Sequence, residues 1–258
     1  MKIMRFCNFS LCLLLMLPFT SHASVEASLG LVGAHLSYRE TGVHQSGYLT
    51  GLKGHLAVHQ GLMVRFDGSY ISGHVDYNST DTGSMKNMSD YIYEIRGLIG
   101  QDLYTPGLRI TPYTGLGYRN LKNNSAYRRS TTGALGYNRE QSYIYLPVGL
   151  MFQQMAILPG HWGVGFKLEF DQLIRGYNTS ELGTIPGKRD LSFHQKTGSG
   201  AQASITFKRY LDSDFFIRAI TFTPYVKYWD VNASNVNEGY YEPDNTTVEF
   251  GATLSASI

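Results

Sequence analysis

Cysteine is scarce in this sequence and confined to one end of it. The chain of 258 residues has two cysteines, Cys7 and Cys12, and both lie in an N-terminal segment that we expect to be removed. The remaining residues, 24–258, therefore offer neither a disulfide framework nor a thiolate metal site. Beyond residue 23 the sequence also lacks an apolar run of about 18 residues, which excludes a transmembrane helix there.

An excess of charge of one sign is missing as well. The chain has 22 Lys and Arg against 20 Asp and Glu, and the N-terminal segment takes Lys2 and Arg5 with it. The rest is formally neutral, so its charge gives no argument for binding nucleic acid. We therefore expect no nucleic-acid partner.

The N-terminus has the pattern of an export signal. Lys2 and Arg5 precede an apolar run at residues 11–19, and residues 21–23 are Ser-His-Ala. A basic start, a short apolar core and a small-x-small site are typical of a Sec-type signal peptide. The run is too short for a membrane anchor, which needs about 20 residues. We predict cleavage after residue 23 and a single exported domain over residues 24–258.

Alternation of apolar and polar residues is abundant in the rest of the chain. Successive side chains of a strand point to opposite faces, so a period of two predicts strands with one apolar face. Clusters of Gly, Pro, Asn and Asp separate the alternating segments, as turns between strands do. Ten strands are predicted, at residues 30–40, 48–58, 62–74, 91–100, 108–119, 143–152, 162–173, 197–207, 216–229 and 248–258.

The connections between these strands are sorted by length. Those after strands two, four, six and eight are short, whereas four of the five after the odd-numbered strands are long and polar. Short periplasmic turns and long external loops are expected of an outer-membrane barrel, as is an even number of strands. We therefore predict an all-β fold, a ten-stranded antiparallel up-and-down transmembrane β-barrel. Its long surface loops begin at Val75, Asn120, Gly176 and Asp230.

The last strand has a clear two-faced pattern. Its apolar parity includes Phe250, Leu254 and Ile258, and the other parity is small or polar. Pairing of this strand with residues 30–40 would close the sheet and leave no open edge in lipid. We also expect aromatic belts at the two membrane interfaces. One contains Tyr38, Tyr70, Tyr91, Tyr118 and Tyr228, and the other contains Trp162, Phe207 and Phe215.

These features together resemble those of Gram-negative outer-membrane β-barrel proteins, in particular small single-chain barrels of the omptin or opacity-protein type. The likeness extends over the whole mature chain, although most members end in Phe and this chain ends in Ile258. It implies contact with outer-membrane lipid and lipopolysaccharide, with periplasmic chaperones and with the barrel-assembly machinery. The assembly machinery would read Phe250, Leu254 and Ile258. We expect a monomer without cofactor or metal.

Charged residues on the polar parity should face the lumen. Buried charges have to be paired or solvated, so near-balance of the two signs predicts an ion-pair network that largely plugs a ten-stranded barrel. Glu249 is a candidate partner of Lys227 on the preceding strand. The predicted network consists of Lys53, Arg65, Asp67, Glu94, Arg96, Arg119, Lys167, Glu169, Asp171, Lys227 and Glu249.

Three functions are compatible with such a barrel. The first is a non-enzymatic surface protein, structural or adhesin-like, whose long loops bind an extracellular ligand. The second is a narrow porin-like pore for small solutes, which requires an open lumen.

The third is an omptin-like surface hydrolase. Residues 93–97, Tyr-Glu-Ile-Arg-Gly, and 186–189, Pro-Gly-Lys-Arg, resemble omptin segments. That resemblance implies paired aspartates and an Asp–His dyad that activate a water at the extracellular rim. Acidic residues do not follow the family's spacing here, so we assign no catalytic residue. Any rim chemistry would be expected at His74, Asp76, Asp171 and His194. His35, His55 and His59 share a predicted lumen parity, but no acidic residue accompanies them as in a metal site.

Overall fold

A computed structural model describes residues 24–155, 158–211 and 216–258. The predicted signal peptide and Phe215 lie outside these residues. Within them the chain forms β1 (Ser24–Glu40), β2 (Val43–Gln60), β3 (Leu62–Ser79), β4 (Gly83–Gln101), β5 (Leu103–Thr105), β6 (Leu108–Asn124), β7 (Asn138–Gln154), β8 (Trp162–Glu181), β9 (Leu191–Gln195), β10 (Gly198–Tyr210), β11 (Ala219–Val231) and β12 (Asn245–Ser257), with one 3-10 turn at Leu182–Thr184. No helix in this part of the chain is long and apolar enough to cross a membrane.

Ten of these strands close into one antiparallel barrel. Each long strand pairs with its neighbour in sequence, and β12 pairs with β1 along its whole length, from Asn245 opposite Glu40 to Ser257 opposite Ser28. The short β5 pairs only with β6, and β9 adds to β8 beyond the end of β10. The predicted ten-stranded up-and-down barrel and its closure through the last strand are confirmed. We call the end that carries Ser24 and Ser257 the base, and the opposite end the rim.

Nine of the ten barrel strands are longer than the alternating pattern predicts, and only β11, with 13 residues, is shorter than the 14 predicted. The barrel strands contain between 13 and 20 residues, whereas about 9–11 tilted residues cross a bilayer. Residues 75–89, predicted as a long loop, form a paired hairpin: β3 runs to Ser79 and β4 begins at Gly83. That loop prediction is wrong because the outward residues of this hairpin are polar and its sequence is rich in turn-forming Asn, Ser and Thr. The inward face is nevertheless buried, since Val75 and Met88 are each 1% exposed and pack in a hydrophobic cluster.

The outer surface has an apolar band. Large hydrophobic side chains point outward in it, and some of them, such as Leu31, Phe66 and Leu116, are more than half exposed. On β12 the outward residues include Phe250 and Leu254, as the pattern predicts. An exposed apolar band of this kind is what a barrel presents to lipid.

Tyrosines mark the rim side of this band, and one predicted member is misplaced. Tyr70 and Tyr228 point outward, as does Tyr48, which was not predicted. Tyr38 is only 3% exposed and donates its hydroxyl to Glu40 at 2.7 Å inside the barrel. Its parity on β1 is the inward one, because Val32, Ala34 and Leu36 on the same parity are buried. The apolar parity of β1 therefore faces the lumen.

Candidate functional site

The lumen contains a belt of ion pairs. All eleven charged residues predicted for the lumen occupy inward-facing positions. Arg96 is central: Nη1 donates to Glu169 Oε1 at 2.6 Å, and Nη2 donates to Asp67. Asp67 also accepts from Arg65 Nε at 2.7 Å. Glu169 is held in addition by the hydroxyl of Tyr113 at 2.7 Å. One guanidinium thus links β3, β4 and β8 across the interior.

A second part of the belt joins more distant strands. Lys227 Nζ on β11 lies 2.7 Å and 2.5 Å from the carboxylate oxygens of Glu94 on β4. Arg119 Nη2 on β6 lies 3.3 Å from Glu249 Oε2 on β12. Lys227 and Glu249 are opposite in register, yet each takes its closest charged partner from across the lumen. The expected direct pair between Lys227 and Glu249 is therefore replaced by two pairs across the lumen, Lys227–Glu94 and Arg119–Glu249.

Tyrosine hydroxyls complete this part of the belt. Tyr145 donates to Glu94 at 2.5 Å, and Tyr225 donates to Glu249 at 2.6 Å. Buried ion pairs offset their desolvation only when additional hydrogen bonds satisfy the remaining lone pairs, and these hydroxyls supply such bonds. Side chains from facing walls therefore meet and close the middle of the lumen.

Asp171 is the exception within the belt. It is fully buried, and neither carboxylate oxygen has a hydrogen-bond partner among the described residues. Among the described carboxylates of the belt, Asp171 is thus the one whose oxygens both lack a hydrogen bond.

Above the belt, towards the rim, the interior is packed with apolar and aromatic side chains. Trp229 is 1% exposed, and its ring centroid lies 5.1 Å from that of Tyr145 and 5.5 Å from that of Tyr143. Leu49 and Ile92 belong to a second buried cluster at the wall formed by β1 to β4. The belt, these clusters and buried polar side chains nearer the loops, such as Gln141 and Asn178, occupy the rim half of the lumen.

Below the belt, the lumen opens towards the base as a cavity of about 170 Å³. We call this cavity the vestibule. Its lining includes Lys53, Arg65 and Lys167 of the predicted network, together with charged residues outside that network. These further residues are Glu26, Arg109 and Lys208, with Asp102 immediately behind the wall. Glu26 and Lys208 fall just outside the predicted strand limits, and continuing the parity of β1 and β10 towards the base would have found them.

The rim consists of two tight turns, at residues 41–42 and 80–82, and three loops. We name the loops A (residues 125–137), B (182–190) and C (232–244). Loop A lies on the β3–β4 hairpin. Thr132 Oγ1 donates to the carbonyl of Thr82 at 2.8 Å, and Arg128 Nη1 donates to the carbonyl of Asn87 at 2.6 Å.

Loops B and C are bound to each other. Arg189 Nε on loop B lies 2.7 Å from Glu238 on loop C. The amide of His194 on β9 donates to Asn235 on loop C at 2.7 Å. Below them, Arg139 on β7 contacts Glu242 of loop C and donates to Glu40 at the top of β1 at 2.6 Å. The rim therefore forms a connected surface rather than separate loops.

Large side chains project from this surface. Tyr127 on loop A is 83% exposed and is followed by Arg128 and Arg129. On loop C, Val236, Tyr240 and Tyr241 are each more than half exposed. Exposed aromatic and arginine side chains are the residue types that most often anchor protein interfaces.

The residues considered for rim chemistry are not brought together. His74 and Asp76 lie on the outward face of β3, and His194 lies on the outward face of β9 with its ring 4.9 Å from that of Tyr177. Asp171 is buried inside the barrel. The β3 and β8 walls are separated by β4, β6 and β7 in the sheet, so these four side chains share no pocket.

The three histidines of the first two strands also separate. His35 faces outward, with its ring 5.0 Å from that of Tyr48, so its predicted lumen parity is wrong. The reason is again the inverted parity of β1. His55 and His59 line the vestibule, and His59 Nδ1 lies 2.8 Å from Asp102. In the described part of the chain, no three His, Cys, Asp or Glu side chains are grouped so that they could hold a metal ion.

Comparison with known proteins shows the fold class. No protein-family model and no curated protein sequence matches the chain. Among solved structures, the outer membrane protease OmpT from Escherichia coli is similar with a TM-score of 0.60 at 11% identity, covering 94% of this chain and 99% of that chain. Weaker likenesses are Ail, the attachment invasion locus protein of Yersinia pestis (TM-score 0.35, 8% identity, 90% and 98% covered), and the Pseudomonas putida toluene transporter TodX (TM-score 0.37, 10% identity, 90% and 89% covered).

The chain therefore has the fold of the outer-membrane β-barrels, with the strand number and architecture predicted from its sequence. The identity to OmpT is too low to transfer an activity.

Proposed function

We propose that this chain is a bacterial outer-membrane protein, exported by its N-terminal signal, that acts as a non-enzymatic interaction protein at the cell surface. The observation that carries the proposal is the connected rim, in which loop A, the β3–β4 hairpin and loops B and C are joined by hydrogen bonds and ion pairs. A preorganised surface loses little conformational entropy when it binds a ligand. The ligand we envisage is an extracellular macromolecule with apolar and acidic groups, complementary to Tyr127 and its neighbouring arginines.

The closed lumen supports this role over that of a pore. Ion pairs from facing walls meet in the belt, and the rim half above it is filled by side chains such as Trp229 and Leu49. A solute would have to separate buried pairs and aromatic contacts in order to pass. We therefore expect the purified protein in planar bilayers to give no stable unitary conductance, and reproducible single-channel steps would favour the pore.

A surface hydrolase is the remaining alternative, favoured by the shared fold with a protease. His74, Asp76 and His194 point away from the lumen, and Asp171 is enclosed within it. Cleavage of a basic peptide library that is abolished by H194A or D171N would favour the hydrolase over our proposal.

The proposal is tested by shortening the rim. Loops A and C are replaced with two-residue turns. Cells that display the shortened barrel or the full chain are then applied to arrays of glycans and matrix proteins. We expect the shortened barrel to fold and to lose binding that the full chain shows. Y104S, at an exposed position on the base side, is the matched control and should bind as the full chain does. Equal binding by the shortened barrel would refute the rim as the interaction surface.

A further inference from the structure

The vestibule has an excess of positive charge that the belt does not neutralise. Its wall contains six cationic side chains, counting Arg96 at its upper end, against four carboxylates that line it or lie directly behind it. The cationic residues are Lys53, Arg65, Arg96, Arg109, Lys167 and Lys208, and the carboxylates are Glu26, Asp67, Asp102 and Glu169. Two imidazoles, His55 and His59, also face the cavity.

Most of these cations have a partner that holds them in place. Lys208 Nζ lies 3.0 Å from Glu26, Arg65 Nε lies 2.7 Å from Asp67, and Lys167 Nζ lies 3.7 Å from Glu169. Such pairs fix the positions of the cationic groups around the cavity, but Glu169 and Asp67 are each shared between two cations or more. Because the cations outnumber the carboxylates, these pairs leave the cavity with a net positive charge.

Lys53 is the cation without a charged partner. Its ammonium lies 4.7 Å from the centre of the Tyr225 ring. Among the described residues, no carboxylate oxygen lies within 4.0 Å of this ammonium, which is the limit for an ion pair. A buried ammonium has a high desolvation cost unless a counter-charge compensates it. Charges of one sign in a cleft with low-dielectric walls also concentrate ions of the opposite sign. Lys53, at the top of the vestibule, is therefore positioned to meet an anion that enters from the base.

We propose that the vestibule is a binding site for a small anion carrying phosphate or carboxylate groups, entering from the base. Lys53 is its anchoring residue, and Lys167 and Lys208 contribute further positive charge around the cavity. The belt closes the cavity above the anion, so the site is a dead end rather than a passage. This site is separate from the proposed rim interaction and from its test.

Binding is tested by titrating inorganic pyrophosphate into the full-length mature barrel in a neutral detergent at moderate ionic strength, followed by isothermal calorimetry. We expect saturable binding to one site per barrel, weakened at least tenfold in K53Q. The matched control is K86Q, because Lys86 is an exposed lysine near the rim, and its affinity should equal that of the wild type. Absence of saturable binding, or equal loss in both variants, would overturn the proposal because only diffuse surface attraction would remain.

A second measurement does not depend on the folding of a variant. Amines of the wild-type barrel are acetylated with and without pyrophosphate, and the modified lysines are identified by mass spectrometry. We expect pyrophosphate to slow the acetylation of Lys53 and Lys208 and to leave Lys86 unaffected. Unchanged modification of Lys53 and Lys208 would contradict the site.

Discussion

Replacing Arg96 with methionine removes the residue that joins three strands inside the barrel. Breaking a buried ion pair by removing one partner typically costs about 3–5 kcal/mol, because the other charge stays buried without compensation. Here both orphaned carboxylates keep a second ligand: Asp67 retains Arg65 at 2.7 Å, and Glu169 retains Tyr113 at 2.7 Å. We therefore expect a loss near the lower limit, about 3 kcal/mol in the free energy of unfolding, or roughly 100-fold in the folding equilibrium.

The assay is reversible urea unfolding of the mature barrel in lipid vesicles. The fluorescence of buried Trp229, which lies directly above the belt, reports the packing of the lumen. The matched control is R175M, since Arg175 is exposed and its side chain contacts the hydroxyl of Tyr177 at 2.9 Å. We expect R175M to lose less than about 1 kcal/mol. A loss below about 1 kcal/mol in R96M as well would refute the reasoning, because it would mean that water screens the belt as it screens a surface pair.

Three further predictions follow from the interior and the seam. D171N should leave the stability unchanged or raise it by about 1 kcal/mol in the same urea assay, because it removes a buried charge whose oxygens have no partner; a loss above about 2 kcal/mol would show that Asp171 has a stabilising contact. W229A should lose about 3–5 kcal/mol, since the 1% exposed ring leaves a large cavity; its unfolding is followed by far-ultraviolet circular dichroism because the variant lacks the fluorescent reporter, and an unchanged midpoint would mean that the rim half is loosely packed. Deleting residues 254–258 should abolish insertion into the outer membrane, because the four of thirteen β1–β12 pairs nearest the base are lost and the wall is left open there; a heat-modifiable barrel in membrane fractions of that truncation would contradict the seam.

The sequence predicts the wall of this barrel better than its ends. β12 from Val248 onward alternates between an apolar and a polar face, and the structure places its apolar face outward as predicted. The hairpin through Ser79 and Gly83 also buries its inward face, but its polar outward residues and its Asn, Ser and Thr predict a loop instead. Which face of β1 points inward is harder to predict, because the barrel interior beside this strand is apolar. Val32 and Leu36 point inward and pack in a buried hydrophobic cluster instead of facing lipid.

The charged interior was predictable in composition but not in pairing. Parity alone places Lys227 and Glu249 on inward positions of adjacent strands. Their partners, Glu94 and Arg119, are more than 100 residues away in sequence. Such pairs depend on how far each side chain reaches across a closed lumen, which is decided by the curvature of the sheet. The vestibule could not be predicted for a related reason. Its cationic residues lie on the base ends of different strands, and only the closed barrel brings them around one cavity.

The seam between β12 and β1 has a consequence for how the barrel assembles. Glu249 arrives in the lumen only when β12 takes its place, and there it meets Arg119 of β6 from the facing wall and the hydroxyl of Tyr225. An incomplete sheet would thus leave a row of unpaired backbone groups at its edge and an arginine without its counter-charge inside. Both deficits disappear in the same step, so closure of the wall and closure of the lumen should be a single cooperative event.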